Sequence, residues 1–455
     1  MKSHTMESFE QFNVSKQLQN AIKDLKFEVP TPIQVEAFPV ILSGTDVVGI
    51  SQTGTGKTFA YMLPLLQSLK FSNQVNPRIL ILVPTRELVV QVVQNIHKYA
   101  QYMSTRVLGV YGESNISIQK QHIAQGIDIL VATPGRLYDL VVSRSLSLKA
   151  IGKLVIDEVD VMLDLGFRTQ LTNIFDLLPE RRQNIMFSAT MTDEVEELIT
   201  SFFTPPKKVA IAVSGTRLES ITQSCYSAKN FYTKANLLIH LLSDRDVFYK
   251  VLVFVSSKKI ADRLFDYLEE NHGPSACIIH SNKSQNYRLR SLEAFETGAN
   301  SILIATDVIA RGLDLDSISH VINFDTPNYP ENYMHRIGRT GRASQQGRSI
   351  LFYSEKEMED KLSIEALMDY QIPEEPFPDE VEIIDQLIPE ERTRTLDSNH
   401  YRNAKKANLD DGFHEKKEKN TKVNEGGSYR KKLAKKHKKP QRRGDKIQNM
   451  KSKRK

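Results

Sequence analysis

The chain has 455 residues, enough for two to four domains at roughly 100–200 residues each. A hydrophobic share of 40% and a charged share of 25% are ordinary for a soluble protein. The net charge of +6 hides an asymmetry: residues 401–455 hold 21 Lys and Arg against 6 Asp and Glu, so that segment carries +15 and the rest −9. No apolar run reaches the roughly 18–20 residues that span a bilayer, so no membrane association is expected. The first ten residues contain no apolar stretch and do not read as a secretory leader. The two cysteines, Cys225 and Cys277, fit no zinc spacing and sit in apolar surroundings. They read as buried thiols in a reducing, cytoplasmic setting.

In chain order, Pro30 and Pro32 exclude a helix interior over Lys26-Phe-Glu-Val-Pro-Thr-Pro-Ile-Gln34. A rigid loop there presents Phe27 and Gln34. A glutamine amide can read an adenine edge, or simply cap the helix that follows. Asp46-Val-Val-Gly-Ile50 reads as a buried strand, and Phe59-Ala-Tyr-Met-Leu63 as the first turns of a helix. Between them lies Ser51-Gln-Thr-Gly-Thr-Gly-Lys-Thr58. Strand, glycine-containing loop and helix are the context of a phosphate-binding loop. Gly54 and Gly56 let backbone N–H groups close around phosphate, with Thr53 and Thr55 in the same loop. Lys57 reaches the outer phosphates, Thr58 offers a hydroxyl to Mg²⁺, and the helix N-terminus adds positive potential. The strict pattern begins with Gly, where this chain has Ser51.

Ile79–Val83, Asp128–Val131, Lys153–Ile156 and Asn184–Phe187 are short, nearly all apolar runs, the signature of strands covered on both faces. Val155-Ile-Asp-Glu-Val-Asp160 ends one of them about 100 residues after Lys57. Acidic residues after a strand are common. Joined to Lys57 and Thr58, Asp157 becomes a water-mediated Mg²⁺ ligand and Glu158 the group that positions and deprotonates water.

Thr204-Pro-Pro-Lys-Lys and Ser214-Gly-Thr-Arg are breakers, and 206–220 reads as a linker. A second series follows: Val251–Val255, Ala276–Ile279, Ser301–Ile304, His320–Phe324 and Ser349–Tyr353 as strands, with helical segments such as Lys259–Leu268 between them. It has no phosphate loop. The domains expected are 1–205 and 221–370. From 371 Pro, Glu and Asp dominate, and from about 401 Lys and Arg, so 371–455 reads as a disordered tail.

These motifs together resemble the DEAD-box RNA helicases, from Phe9 to about Tyr353. Lys26–Gln34 resembles the Q motif, Ser51–Thr58 motif I, Pro84–Leu88 motif Ia, and Thr133–Arg136 motif Ib. Asp157–Asp160 resembles motif II, and Ser188-Ala-Thr190 motif III. Val253–Val255 resembles motif IV, and Gln285-Asn-Tyr-Arg288 the QxxR element. Ala305–Asp314 resembles motif V, and His335–Arg342 motif VI. The resemblance implies an α/β fold class: two tandem RecA-like parallel-sheet domains with a cleft between them, plus the disordered basic tail. It implies an RNA-dependent ATPase and RNA helicase that takes ATP and Mg²⁺ and acts on single-stranded and duplex RNA without reading sequence. Phe27 stacks on adenine, Gly312 and Asp314 face the ribose side, and Arg339 and Arg342 serve as arginine fingers across the cleft. Asp160, Ser188, Thr190 and His335 couple ATP state to closure. Arg86, Gly112, Thr133, Gly135, Arg136, Arg288 and Thr306 grip phosphates and 2′-hydroxyls.

A short basic tail resembles the bacterial RhlE-like branch, which implies ribosome assembly or RNA turnover, ribosomal or RNA-degradation protein partners, and a monomeric core. Four positions depart from the family pattern. Val159 replaces Ala, adding two methyl groups at an expected buried site. Lys26 and Glu113 stand where Gly is usual, and Glu113 puts a carboxylate near the RNA track. His280-Ser replaces His-Gly. An RNA clamp with little turnover and a DNA helicase are the competing readings. Intact Glu158, Arg339 and Arg342 argue against the first, and the Q motif and Ser-Ala-Thr element against the second.

Overall fold

The apolar runs become strands, and the loops at their carboxyl ends hold the motifs. The computed structural model describes residues 8–52, 54–211, 221–307, 315, 317–341 and 347–392. The first sheet contains β1 (Val47–Ile50), β2 (Ile79–Leu82), β3 (Val107–Val110), β4 (Ile129–Ala132), β5 (Lys153–Ile156), β6 (Gln183–Ser188) and β7 (Lys207–Ala210). Its order is β3-β4-β2-β5-β6-β1-β7. The second contains β8 (Ile221–Ser227), β9 (Val251–Val255), β10 (Ala276–Ile279), β11 (Ile302–Thr306), β12 (His320–Asn323) and β13 (Gly347–Tyr353). Its order is β10-β11-β9-β12-β13-β8. All pairings between named strands are parallel.

Side chains alternate between faces along a strand, so each sheet packs apolar clusters on both of its faces. Ile79 and Ile81 of β2 enter one cluster with the helices Lys57–Ser68 and Arg86–Tyr99; Leu80 and Leu82 enter the other. In the second sheet Val251, Val253 and Val255 of β9 face one way, and Leu252 and Phe254 the other. No helix among the described residues is long and apolar enough to cross a membrane.

Three strands are not among the runs expected from the sequence. β3, β7 and β8 are edge strands, and β7 and β8 are largely polar, with alternating or mostly exposed residues. β7 falls inside the expected linker, where Lys207 pairs with Val47, so the first sheet runs past residue 205.

A larger correction concerns 371–392, expected as the start of a disordered tail. The segment is a strap packed on the second domain. Cys225 N donates to Pro373 O (2.8 Å) and Glu375 N to Cys225 O (2.9 Å), extending the β8 edge. Ile372, Val381 and Ile388 are buried in the cores of that domain. Glu391 Oε1 accepts from Phe231 N (2.6 Å) at the start of helix Phe231–Leu242, and Oε2 from Ile388 N (3.1 Å). The acidic, proline-rich composition conceals these apolar residues because they follow neither a helical nor a strand period. The basic stretch 401–455 lies outside the described residues.

Candidate active site and RNA groove

β1, β6 and β5 are neighbours, and their carboxyl ends carry the loop at Ser51, the Ser188-Ala-Thr190 element and the Asp157-Glu158 pair. Ile50 pairs with Ser188, and Ser51 N donates to Ser188 O (3.1 Å). Ser51, which departs from the strict glycine, braces the loop: its Oγ lies 2.8 Å from Thr55 Oγ1, which donates to Gln52 O (2.8 Å).

Gly54 and Gly56 have φ of 79° and 83°, where a side chain is strained, and a Cβ on Gly56 would strike the Gln34 amide. Gly56 caps helix Lys57–Ser68 without any side-chain bond to its first N–H groups. Those donors and the helix dipole make an anion site. Gln34 shows the capping role and also braces the loop: Oε1 accepts from Thr31 N (2.9 Å) in a capping box, while Nε2 donates to Gly56 O (3.3 Å). Phe27 is half exposed, its ring centroid 5.1 Å from that of Phe59.

Lys57 Nζ pairs with Glu158 Oε1 at 2.9 Å, both buried. Tyr61, one turn after Lys57 on the same helix, donates to Asp157 Oδ2 (3.0 Å), and Glu158 N donates to Asp157 Oδ1 (3.0 Å). Glu158 has φ 54°, a left-handed conformation that turns the chain sharply after β5. Burial raises the Asp157 carboxyl above its ordinary range, partly offset by Lys57 and reinforced by Glu158. Burial also opposes ionisation of Glu158, but Lys57 and then Arg339 outweigh it and lower its pKa. Val159 is fully buried in the second core of the first domain, with both carboxylates retained beside it.

Asp160 Oδ2 accepts from Ala189 N (3.1 Å), Thr190 N (3.0 Å) and Thr190 Oγ1 (3.0 Å), and lies 3.7 Å from His335 Nε2 of the second domain. Ser188 Oγ donates to Thr190 O (2.7 Å). Arg339 is buried, its Nε donating to His335 O (3.2 Å). The cleft is therefore closed, with groups of both domains around one cluster.

Along the expected RNA track, Arg86 begins helix Arg86–Tyr99 and is ion-paired with Glu113. Gly112 lies beside it: a Cβ there would be 3.7 Å from Arg86 Nη2. Thr133 caps helix Pro134–Val142, Gly135 faces open space, and Arg136 Nη1 donates to Gln119 Oε1 (2.8 Å) and Ser114 O (3.2 Å). In the second domain Thr306 ends β11, and Arg288 Nη2 reaches Glu87 Oε1 of the first domain at 3.1 Å. Thr53, Gly312, Asp314 and Arg342 lie outside the described residues.

Two of the departures from glycine, Lys26 (φ 55°) and Glu113 (φ 61°), occupy left-handed backbone. That explains the glycine usual there, and each costs ~1–2 kcal/mol. His280 is buried with Nε2 3.0 Å from Asp262 Oδ1.

Some contributors escaped the reading of the sequence. Tyr61 was legible only as a residue on the Lys57 face. Glu87 sits inside the motif at Pro84–Leu88 but faces the other domain. Asp307 and Arg336 form a two-bond pair (2.6 and 2.8 Å) that joins the motif V and VI stretches; no local spacing announces it.

The helix start without a side-chain cap, the left-handed glycines and the buried lysine fit a nucleoside triphosphate. Among the described residues no three His, Cys, Asp or Glu cluster as a metal site. Asp157 and Thr58 alone are a partial donor set, which suits Mg²⁺ completed by phosphates and water.

Comparison with known proteins agrees with this geometry. The DEAD/DEAH box helicase model matches residues 31–198, and the helicase conserved C-terminal domain model residues 233–344. The ATP-dependent RNA helicase DeaD of Buchnera aphidicola is 38% identical over 83% of this chain and 62% of its own. The ATP-dependent RNA helicase DBP2 of Candida albicans is 39% identical over 77% and 64%. The chain thus spans a little under two thirds of these relatives. The solved structure of S. cerevisiae Dbp5 bound to RNA and ADP BeF3 superposes with a TM-score of 0.74 at 28% identity, covering 82% of this chain and 96% of that one. With its two parallel RecA-like sheets and both helicase models matched in order, the chain belongs to the DEAD-box helicase family.

Proposed function

We propose that this protein is an ATP-dependent RNA helicase that binds RNA without sequence preference and locally unwinds or remodels duplexes. The observation that carries this reading is one buried cluster with two origins: Lys57, Asp157, Glu158 and Asp160 from the first domain, His335 and Arg339 from the second. A site divided between domains works only when they close, so whatever favours closure also favours hydrolysis. ATP with Mg²⁺ supplies the phosphoryl chemistry. Lys57 and the helix start hold phosphate, Asp157 and Thr58 face the metal, Glu158 orients and deprotonates water, and Arg339 faces the departing charge. Phe27 and Gln34 flank the base. Asp160, Ser188, Thr190 and His335 tie the phosphate side to the second domain.

Arg86, Gly112, Thr133, Gly135, Arg136, Arg288 and Thr306 are the RNA-facing set, reading backbone rather than bases. The relatives' names and the RNA in the Dbp5 structure favour RNA over DNA. The +15 of residues 401–455 suits a phosphate tether. We place the protein in the cytoplasm, as a monomer acting in ribosome assembly or RNA turnover with ribosomal or RNA-degradation partners. The resemblance of the tail to the RhlE-like branch supports that placement.

Hydrolysis measured with and without RNA tests the function. Single-stranded RNA is expected to raise the rate at least about tenfold and DNA to leave it nearly unchanged. Binding without stimulation would favour an RNA clamp.

A further inference from the structure

The loop after β3 places Gly112 and Glu113 against helix Arg86–Tyr99. The Glu113 carboxylate, 62% exposed, pairs with the Arg86 guanidinium. That bond chiefly keeps the Glu113 carboxyl below its ordinary range, and Arg288 of the second domain contributes as well. Arg288 is itself paired with Glu87, next in sequence to Arg86. Two of the three arginines of the track, Arg86 and Arg288, one from each domain, are thus held by carboxylates of the first domain.

Glu113 keeps a left-handed backbone at φ 61° that glycine would occupy without strain. An acidic residue retained at that cost, on a surface that is to receive polyanion, calls for a role in the binding itself.

We infer that Glu113 is an intramolecular competitor for RNA, its carboxylate standing where an RNA phosphate docks on Arg86. This rests on the RNA-binding reading above. RNA binds by exchange: phosphate takes the guanidinium and Glu113 swings to solvent, which its exposure permits. The residue lowers the affinity of the track and quickens release, so that turnover does not stall on a tightly held product strand.

The test is a double-mutant cycle on the full chain, using fluorescent single-stranded RNA. Glu113→Gln keeps the size and the backbone conformation but removes the charge; Glu113→Gly also removes the strain. Each is expected to bind RNA roughly two- to fivefold tighter, the range of an exposed ion pair. Most of the gain should lie in slower dissociation. In an Arg86→Ala background, Glu113→Gln should change affinity by less than roughly twofold, because no guanidinium remains to contest. Equal tightening in both backgrounds overturns the exchange and leaves only general repulsion. Unchanged affinity of Glu113→Gln, in a protein whose RNA binding does depend on Arg86, overturns the inference and spares the function. A parent protein that binds no RNA overturns both.

Discussion

Lys57 Nζ and Glu158 Oε1 lie 2.9 Å apart in the closed cleft, and neither side chain has appreciable contact with solvent. The lysine proposed to hold phosphate is thus engaged with the carboxylate proposed to activate water. A phosphate that draws Lys57 away releases Glu158 from the cation that depresses its basicity. The resting pair is a latch whose two halves are both used in the proposed reaction.

The first prediction separates those halves. Glu158→Gln removes the base and keeps the shape, so nucleotide should still bind while turnover falls at least about 100-fold. Lys57→Ala should weaken nucleotide binding and, by stranding a buried carboxylate, destabilise the fold by about 3–5 kcal/mol. Nucleotide titration, steady-state hydrolysis and a thermal melt on each variant read these out. Hydrolysis by Glu158→Gln near the parental rate would contradict the role of that residue.

The strap offers a second. A chain ending after Arg392 should melt like the full-length protein. One ending at residue 370 exposes the cavities left by Ile372, Val381 and Ile388, each worth ~1.5–3 kcal/mol when buried. It also strips Glu391 from the start of helix Phe231–Leu242. The second domain should then melt several degrees earlier, and Val381→Asp in the full chain should mimic the loss. Coincident melts of the two truncations would show that the strap is ornamental.

Asp128 sets a third, on acid stability. Burial opposes its ionisation, but Arg106 and Arg78 (3.0 and 2.8 Å) hold its carboxyl at about 2. Because the folded value lies below the ordinary 3.8, the stabilisation is complete above about pH 4. It is lost as pH falls from there toward about 2. Asp128→Asn should be less stable than the parent at pH 7, and the gap should close in that acid window. Acid titration followed by circular dichroism measures it; a gap constant from pH 7 to 2 would refute the assignment.

Much of this was legible in the sequence because buried parallel strands are written as unbroken apolar runs, and the motifs sit where those runs stop. β1, β2, β5 and β9 needed nothing more. Edge strands such as β7 and β8 carry polar residues on the side that meets water, so their runs vanish into their surroundings. The strap was unreadable for another reason: Val381 and Ile388 are anchored by grooves elsewhere in the chain, not by neighbours in sequence. In the site, residue types and order point to the groups that the proposed chemistry requires. They could not show that Lys57 rests on Glu158, that Arg86 rests on Glu113, or that Asp307 and Arg336 meet.

The strap also fixes an order of events during synthesis. The first domain has its whole sheet once Ala210 has been made. β8 opens the second domain at Ile221, yet its neighbours, β13 and the strap, arrive only near residues 347 and 373. Those contacts join positions well over a hundred residues apart, the kind of closure that slows folding. At roughly 5–20 residues per second, the nascent second domain waits many seconds for its own edge and lid. During that time the finished first domain already presents its phosphate loop and half of the proposed RNA track. The two halves of the protein are born unequal, and the second reaches its full stability only once Glu391 has met the helix it caps.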